Sequence, residues 1–333
     1  MIKKAINDIL NNENNEINIE ECFDEIFSGL SEPVLSGIFL TLLEIKQYGM
    51  EDIVSVINSA RSAVKKAALT IDSQSLIENI CLNGCSKYLD ISFAMDVILS
   101  ANGIGAVKYN PQSGFYQNIS FDTFRAFNLN TENLTADNYE KTKFIYNYLS
   151  NETPYIKYTQ ELYRVLPFKT ILNTVNYFLN PLSAKNCTIA LSDKNLVEKY
   201  ANLCLNLGYE NSIIFSGGNF PYISIEGESK VSEAWKNKIF SYTMTPELLG
   251  IERKPLDDVK VENSNHSAEV INAVFENKLK DANFDIIILN SALALYITKC
   301  AKSLMEGVEL ARKTVIEGRA KEQLEMIKKT YCS

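Results

Sequence analysis

Short apolar runs alternate with amphipathic stretches from about residue 76 onward, and this alternation restricts the fold more than any other feature. Helical patterns such as ISFAMDVILSANG and NLVEKYANLCLNLG separate the runs, and a long helical pair is predicted over 291–331. Strands are predicted at 104–109, 187–192, 212–215, 222–226, 238–244 and 285–289. Such alternation predicts an α/β domain with a central, mostly parallel sheet covered by helices.

The first 70 or so residues instead predict a small helical bundle. IEECFDEIFS (19–28) is amphipathic, and Ser31-Glu32-Pro33 opens a second helix that we expect to end at Gly49. A third helix, EDIVSVINSARSAVKK, follows almost at once, which favours antiparallel packing. We therefore predict a helical domain at 1–70 and an α/β domain at 71–333, and a contribution of about 160–185 to the helical domain stays open.

Composition excludes several classes of protein. With 46% hydrophobic and 22% charged residues, the 333-residue chain is typical of a globular protein. No apolar run could span a bilayer and the N-terminus lacks a signal-peptide pattern, so we expect a cytoplasmic location. A net charge of −8 without a basic stripe argues against a nucleic-acid partner. Seven scattered cysteines, no CxxC pair and the single His266 indicate buried thiols rather than a zinc site.

The segment FKTILNTVNYFLNP (168–181) combines a buried-looking apolar pattern with a polar stripe. Lys169, Asn173, Asn176 and Asn180 recur at helical spacings. The stripe faces either solvent or a ligand, and the pattern alone leaves both interpretations open.

Several stretches occur in an order that matches one family along nearly the whole chain. They include PFKTILNTVNYFLNP, TPELLGI, and the tail from NSALALY to EGRAKEQLEMI. They resemble the anthranilate phosphoribosyltransferase family, which groups with the pyrimidine-type nucleoside phosphorylases. The resemblance implies a homodimer formed through a helical domain that hinges on an α/β domain. It also implies an active site between the domains, where a glycine-rich loop and magnesium hold a sugar pyrophosphate opposite an aromatic amine.

The donor loop departs from the family pattern. In place of the GTGGD-type loop the chain reads CLNGCSKYLDISF, in which Gly84 is retained. The family's NxST element falls on 90–93, so Ser92 keeps its hydroxyl while Asp90 and Phe93 replace asparagine and threonine. An added carboxylate would repel a pyrophosphate, and Phe93 could fill the space of the donor.

The next family element, KHGN, reads KYNP here. It retains Lys108 and places Tyr109 and Asn110 in the two following positions, and the loop after it keeps Ser120. The resemblance implies that Gly84, Ser92, Lys108 and Ser120 are donor- or phosphate-binding candidates. A solvated lysine at a strand end is the alternative for Lys108.

The magnesium ligands of the family have no counterpart at their aligned position. An Asp-Glu pair in a DGLDEIS-type turn falls here on Pro221 and Tyr222, within GGNFPYISIEG. Since neither residue carries a carboxylate, we expect no metal ligand there, and a magnesium cofactor is in doubt. Whether Asp90 and Asp122 replace the pair stays open, and the sequence leaves the identity of any other cofactor unknown.

The acceptor side also differs. The family's carboxylate-binding arginine corresponds to Lys169, which supplies a point charge rather than a bidentate fork. A Gly-Pro pair has become Asn176-Tyr177. The resemblance therefore implies five candidates for the acceptor pocket, which are Tyr109, Asn110, Lys169, Asn176 and Tyr177.

The retained and altered residues of the family pattern lead to two hypotheses about function, each from a different class of protein. The first is a divergent phosphoribosyl- or glycosyltransferase-like protein with an altered substrate or reduced activity, for which anthranilate phosphoribosyl transfer itself is not expected. The second is a non-catalytic homologue that keeps the dimeric scaffold as a binding or partner protein, with a cleft closed by Phe93, Tyr109 and Tyr177. The expected partners are a second copy of the chain and a small phosphorylated or aromatic ligand.

Overall fold

In the structure, a computed structural model, four α-helices precede the first strand of the described chain, and four α-helices follow the last one. The described residues are 1–11, 13, 17–64, 71–82, 87–110, 119–130, 135–148 and 153–332, with the backbone alone at 110, 119–121, 147 and 148. The strands are β1 (Leu76–Cys81), β2 (Gly105–Asn110), β3 (Phe144–Tyr148), β4 (Asn186–Ala190), β5 (Asn211–Ser216), β6 (Ser229–Trp235) and β7 (Lys238–Met244). The helices are α1 (Ile2–Leu10), α2 (Ile19–Phe27), α3 (Pro33–Lys46), α4 (Met50–Ala63), α5 (Ile91–Ser100), α6 (Ile119–Ala126), α7 (Ala136–Thr142), α8 (Pro154–Val165), α9 (Ile171–Val175), α10 (Val197–Asn206), α11 (Ser264–Phe275), α12 (Ala282–Ile297), α13 (Leu304–Ile316) and α14 (Arg319–Tyr331).

The seven strands of the described chain form one sheet in the order β3-β2-β1-β4-β5-β6-β7. Strands β2, β1, β4 and β5 pair in parallel, whereas β6 and β7 extend the sheet as an antiparallel hairpin. The chain winds from β1 towards β3 on one side and from β4 towards β7 on the other. The winding therefore reverses between β1 and β4, and the carboxyl ends of strands at such a point are where open α/β sheets bind ligands. The predicted α/β class with a mostly parallel sheet is confirmed.

The chain divides into two compact units. The helical unit comprises Met1–Ala68, Tyr109–Tyr116 and Tyr148–Ser183, and the sheet unit comprises Leu69–Lys108, Gln117–Asn147 and Ala184–Ser333. Aromatic rings fill the centre of the helical unit, where Phe23 lies 5.6 Å from Phe27 and 5.8 Å from Phe39, centroid to centroid. Tyr155 of α8 lies 5.0 Å from Phe27 and joins the same core.

The predicted strand at 285–289 is wrong, because this segment lies inside α12. Its β-branched run DIIIL suggested a strand, but a short apolar run cannot be told from a buried helix by its pattern alone. Asp281 caps the helix by accepting the Asn283 N–H at 2.9 Å, and fourteen of its sixteen residues are buried. A helix that is apolar on all sides belongs in the core of a large domain.

The predicted strand at 222–226 is also wrong. Ile223 and its neighbours form a buried irregular segment, whose backbone is paired with a side chain rather than with a strand. The Ile223 N–H donates to Asn290 Oδ1 at 2.9 Å, and Asn290 Nδ2 donates to the Ile223 carbonyl at 3.1 Å. The amide of Asn290 thus satisfies the same backbone groups that a neighbouring strand would satisfy.

One predicted helix end needs correction. Helix α3 ends at Lys46, and Gly49 is instead the N-cap of α4, where its N–H donates to Asp52 Oδ2 at 2.8 Å. None of the helices in the described part of the chain combines the length and apolar character that a membrane span requires.

Candidate functional site

Helix α5 begins close to the carboxyl end of β1, beside the point where the winding of the sheet reverses. Asp90 is its N-cap and accepts the Phe93 N–H at 3.0 Å, while the Asp90 N–H donates to Ser267 Oγ at 3.0 Å. Asp90 is 1% exposed. Phe93 is fully buried and stacks on Phe127 at 5.2 Å between centroids, so it packs in the core of the sheet unit rather than standing open to a cleft. An acidic N-cap is stabilising, because it complements the positive end of the helix dipole.

A group of buried polar side chains, here called the Asp96 network, lies between α5 and four neighbouring strands. Each of β1, β2, β3 and β4 contributes one side chain, and α5 contributes two. The members are Asn79, Ser92, Asp96, Lys108, Tyr146 and Thr188.

The carboxylate of Asp96 is the centre of this network. Its Oδ2 lies 3.2 Å from Lys108 Nζ and accepts a hydrogen bond from the Tyr146 hydroxyl at 2.5 Å. Its Oδ1 accepts a hydrogen bond from Asn79 Nδ2. Asp96 is fully buried and Lys108 is only 8% exposed, so this is an ion pair removed from water. Buried charges are retained in proteins when they are paired and hydrogen-bonded in this way.

The remaining contacts hold the partners of Asp96 in place. Lys108 Nζ also donates to Ser92 Oγ and lies 5.2 Å from the centroid of the Tyr146 ring. The Thr188 hydroxyl donates to Asn79 Oδ1 at 2.6 Å. Burial, and then the negative charge of Asp96, hold the pKa of Tyr146 well above its ordinary value. Tyr146 therefore keeps its proton as a donor to Asp96, and the ammonium of Lys108 is the positive charge that balances the carboxylate.

The donor candidates are placed unequally. Ser92 and Lys108 meet in the Asp96 network, so the alternative of a solvated lysine at the strand end is wrong. Gly84 lies outside the described residues, and of Ser120 only the backbone in α6 is described. Among the acceptor candidates at the end of β2, Tyr109 is half-buried, and Asn110 is described by its backbone alone.

The polar stripe of 169–180 does not form one face. Lys169 is exposed in the segment between α8 and α9, whereas Asn173 is buried and accepts the Thr170 N–H at 2.6 Å in a capping box. Asn176 is buried as well, and Tyr177 is half-buried. Helix α9 ends at Val175, so the helical spacing of the sequence does not continue to Asn180.

Asn176 belongs to a tyrosine cluster inside the helical unit. The Tyr155 hydroxyl donates to Asn176 Oδ1 at 2.6 Å and lies 3.1 Å from the Tyr163 hydroxyl. Tyr163 donates to the Leu172 carbonyl at 2.9 Å. Burial raises the pKa of Tyr155, so its proton is retained. Asn176 thus uses its carbonyl oxygen within the core of this unit.

The aligned magnesium position is a packed turn. Pro221 and Tyr222 are buried, and the Tyr222 ring lies 5.8 Å from Phe220 and 6.5 Å from Phe215, centroid to centroid. A Cβ atom at Gly217 would approach the Tyr222 carbonyl oxygen to 2.7 Å, which shows how closely the turn is folded. Hard cations need several oxygen ligands, and these two side chains offer no carboxylate.

Asp90 and Asp122 are the two carboxylates that could replace the family's metal ligands. Asp90 Oδ1 is engaged by the Phe93 N–H, and Asp122 Oδ1 lies 3.4 Å from Arg125 Nη1. Among the residues that the structure describes, no three His, Cys, Asp or Glu side chains gather in a way that could hold a metal ion. The residues present at the aligned position therefore do not fit magnesium.

Sequence reasoning missed four members of the Asp96 network: Asn79, Asp96, Tyr146 and Thr188. The signal that could have found Asp96 is a carboxylate in the middle of the apolar helix ISFAMDVILS, all of which is buried. A charged residue is almost never fully buried without a partner, so an acid in such a pattern predicts a buried base nearby.

Comparisons with known proteins give matches to one family that extend along nearly the whole chain. A family model described as "Glycosyl transferase family, a/b domain" matches residues 84–321. Anthranilate phosphoribosyltransferase from Acetivibrio thermocellus is 29% identical over 331 residues, covering 98% of this chain and 95% of that protein. The enzyme of that name from Methanobrevibacter smithii is 27% identical over 333 residues, covering 98% of both.

Solved structures show the same fold. The anthranilate phosphoribosyltransferase from Thermus thermophilus has a TM-score of 0.84 at 20% identity and covers 98% of each chain. The one from Saccharomyces cerevisiae, solved in complex with PRPP and Mg, has a TM-score of 0.82 at 15% identity and covers 99% of this chain and 97% of that one. Because the family model spans well over half of the chain, the chain belongs to this glycosyl transferase family, alongside the anthranilate phosphoribosyltransferases that it resembles.

Proposed function

We propose that the chain is a phosphoribosyl- or glycosyltransferase-like protein whose donor site is altered, so that its substrate differs from that of its named relatives or its activity is reduced. The observation that carries this proposal is the ion pair between Lys108 and Asp96. Lys108 is the one cation that the family alignment assigns to the donor phosphate, and its charge is balanced inside the protein. A lysine that already pairs with a buried carboxylate contributes little attraction to a further anion.

The magnesium position supports the same proposal. The yeast relative was solved with PRPP and Mg, whereas the corresponding turn here carries Pro221 and Tyr222 without a carboxylate. A bound metal contributes several kcal/mol of charge stabilisation to reactions of phosphate groups. Transfer by the conventional route would lose that contribution, so anthranilate phosphoribosyl transfer is not the activity that we propose.

The direct test is a thermal-shift titration of the purified protein with phosphoribosyl diphosphate and Mg²⁺, followed by an assay for pyrophosphate release with anthranilate. We expect neither a shift at millimolar donor nor release. A conventional donor site would instead stabilise the protein by about 2.7 kcal/mol at a hundredfold excess over Kd. A shift of that size together with turnover would overturn the proposal.

A second candidate function is a non-catalytic dimeric binding protein. The buried tyrosine cluster around Asn176 favours it, because a residue aligned with the acceptor pocket is engaged in the core of the helical unit. A panel of sugar phosphates and aromatic amines discriminates the two functions. Stabilisation by any donor–acceptor pair, with release of the leaving group, supports the transferase, and stabilisation without turnover supports the binding protein.

The exposed face of α3 supports a homodimer formed through the helical unit. Val34, Ile38 and Ile45 lie on one side of the helix and are 70%, 42% and 74% exposed. An apolar stripe of this kind on a surface helix is typical of an interaction surface. A cytoplasmic location and the absence of a nucleic-acid partner remain part of the proposal, on the grounds of charge and composition already given.

A further inference from the structure

The helical unit contains a cavity of about 710 Å³ that is bordered by three of its helices. Helices α2, α4 and α8 each contribute lining residues. Pockets that bind small molecules commonly have volumes of about 300–1,000 Å³, so the cavity has the size of a ligand site. None of the donor or acceptor candidates is among the described residues that line it. A ligand held there would therefore be an addition to the proposed function.

Helix α2 presents a polar stripe to the cavity. Glu21, Asp24 and Ser28 recur at spacings of three and four residues, which places them on one side of the helix. Phe27 lines the cavity next to this stripe and is 1% exposed. This wall therefore combines a buried aromatic side chain with two carboxylates.

Small side chains on α4 leave the space open. Ser59, Ser62 and Ala63 line the cavity at helical spacing, and none of them extends more than one atom past its Cβ. Ser59 is buried, and its hydroxyl donates to Asp24 Oδ1. The side chain of Asp24 has no other partner among the described residues, so its second oxygen can accept a hydrogen bond from a ligand.

Tyr158 of α8 gives the cavity an aromatic wall. A Cβ atom at Gly29 would lie 2.3 Å from Tyr158 Cζ, so the ring lies this close to the loop after α2 only because position 29 has no side chain. Gly29 also has a φ of +75°, a conformation that favours glycine. Lys157 Nζ lies 5.2 Å from the centroid of the Tyr158 ring. The ring is thus already in contact with one cation, which aromatic faces attract.

The carboxylates at this cavity outnumber its cations in the described part of the chain. The lining carboxylates are Glu21, Asp24 and Glu25, and the one cation among the described lining residues is the terminal ammonium of Met1, which pairs with Glu25. Glu21 accepts a hydrogen bond from the neutral amide of Asn18 at 2.8 Å. Neither Glu21 nor Asp24 forms an ion pair with any described residue, so both charges are available to a ligand.

We propose that this cavity binds a small organic ammonium ion. The carboxylates of Glu21 and Asp24 accept hydrogen bonds from its charged end, and such charge-assisted bonds are stronger than neutral ones. Phe27 and Tyr158 contact its apolar part, which gains free energy by leaving water. An anion of the same size and shape is repelled by the two carboxylates, so the cavity discriminates ligands by the sign of their charge.

The probe for the test is 2-phenylethylammonium, which joins one aromatic ring to one ammonium group. The comparison ligand is 3-phenylpropionate, which carries the opposite charge on a similar body. Isothermal titration calorimetry on the full chain measures both. We expect the ammonium ion to bind with a Kd of about 1 mM or lower, and the carboxylate not to bind.

Two substitutions remove the charges and keep the hydrogen bonds. The variant Glu21→Gln/Asp24→Asn retains side-chain oxygens that accept from Asn18 and Ser59. We expect it to bind 2-phenylethylammonium about threefold to tenfold more weakly than the wild type, because the two carboxylates are exposed and water weakens each pair. The matched control is Glu20→Gln/Glu161→Gln, which makes the same change in charge at exposed residues that do not line the cavity, and its affinity should equal that of the wild type.

A second variant tests the location of the ligand without changing any charge. Ser62→Phe places a ring in the cavity from an exposed position of α4, so we expect it to fold and to lose binding of 2-phenylethylammonium. Circular dichroism checks the fold of each variant.

Three results would overturn the proposal. They are no binding of the ammonium ion by the wild type, equal binding of 3-phenylpropionate, and unchanged affinity in both the Glu21→Gln/Asp24→Asn and Ser62→Phe variants. If the first of these variants does not fold, the second decides. None of these titrations contains phosphoribosyl diphosphate, so their failure is distinguishable from a failure of the proposed function, which the donor titration tests.

Discussion

Lys108 and Asp96 depend on each other for stability, because each is the main charge that compensates the other inside the sheet unit. Replacing Lys108 by methionine keeps the unbranched apolar stem of the side chain and removes its charge, which leaves the buried carboxylate without its cation. We expect Lys108→Met to lower the free energy of unfolding by about 3–5 kcal/mol, measured by urea denaturation.

The double variant Asp96→Leu/Lys108→Met provides the control for that loss. Removing both charges leaves no uncompensated ion, so its free energy of unfolding should lie closer to that of the wild type than the value of Lys108→Met does. The third variant to measure is Asp96→Leu. If the loss of stability in the double variant equals the sum of the losses in Asp96→Leu and Lys108→Met, the strong coupling that the ion pair implies is contradicted.

Cys22 gives the stability of the helical unit a dependence on alkaline pH. Burial and then the charge of Glu25 raise the pKa of its thiol to about 11 from an ordinary value of 9.0. Below about pH 9 the Cys22 thiol keeps its proton in both the folded and the unfolded chain, so it does not reduce the free energy of unfolding. As the pH rises further, the unfolded chain loses its proton first, so the free energy of unfolding falls by on the order of 2 kcal/mol by about pH 11.

The measurement compares urea denaturation of the wild type and of Cys22→Ala at several pH values from about 8 to 11. The alanine variant lacks the thiol and should lose less stability over this range. Equal slopes for the two proteins would show that Cys22 does not titrate in the way its burial requires.

At the residue scale the sequence predicted Ser92 and Lys108 as neighbours in one site, through the family alignment. It did not predict that Lys108 would pair with Asp96, because an alignment of motifs carries no information about which helix residue faces which strand. Lys169 and Asn176 were predicted to line one pocket, yet one is exposed and the other is buried among tyrosines.

At the scale of elements, Gly307 of α13 allows that helix to approach α12 closely. A Cβ atom at this position would lie 2.6 Å from the Ala292 carbonyl oxygen and 3.1 Å from its Cα. We expect Gly307→Ala to reduce the free energy of unfolding by about 1–3 kcal/mol, because the contacting atoms are backbone and cannot move aside.

The matched control for this substitution is Gly227→Ala in the sheet unit, where a Cβ atom would meet no other atom within 4 Å. Its effect should stay within about 0.5 kcal/mol. Thermal denaturation followed by circular dichroism measures both variants, and equal midpoints would contradict the close approach of the two helices.

Four of the seven strands in the described part of the chain could be predicted from their patterns, whereas β1, β3 and β6 were missed. Strands β2, β4, β5 and β7 were predicted because their apolar runs are short and bounded by loops. Strand β1 was missed because Glu78 and Asn79 interrupt its apolar pattern, although both are buried; the Tyr209 hydroxyl donates to Glu78 at 2.5 Å. The polar residues of β1 are thus buried with partners from distant parts of the chain, and the local sequence pattern does not predict such a strand.

At the scale of the whole molecule, the exposed stripe on α3 leads to a prediction about mass in solution. We expect the wild type to elute as a dimer and Ile45→Glu to elute as a monomer, since a charge cannot be buried in an apolar interface without a partner. Size-exclusion chromatography with light scattering measures the mass. The control is Leu248→Glu, which places the same charge at a residue of the sheet unit that is 65% exposed, and it should remain a dimer. The same mass for both variants would contradict an interface on α3.

The bond between Asn290 and the backbone of Ile223 has a consequence for how the molecule opens. Ile223 lies in an irregular segment, and amide protons in such segments commonly exchange with solvent through small local fluctuations. Its acceptor, however, is a side chain of α12, whose position is fully buried in the sheet unit. Release of that proton therefore requires α12 to separate from its surroundings. We expect the Ile223 amide to exchange in deuterium oxide as slowly as the amides of β4 and β5, so that its rate measures complete unfolding of the sheet unit.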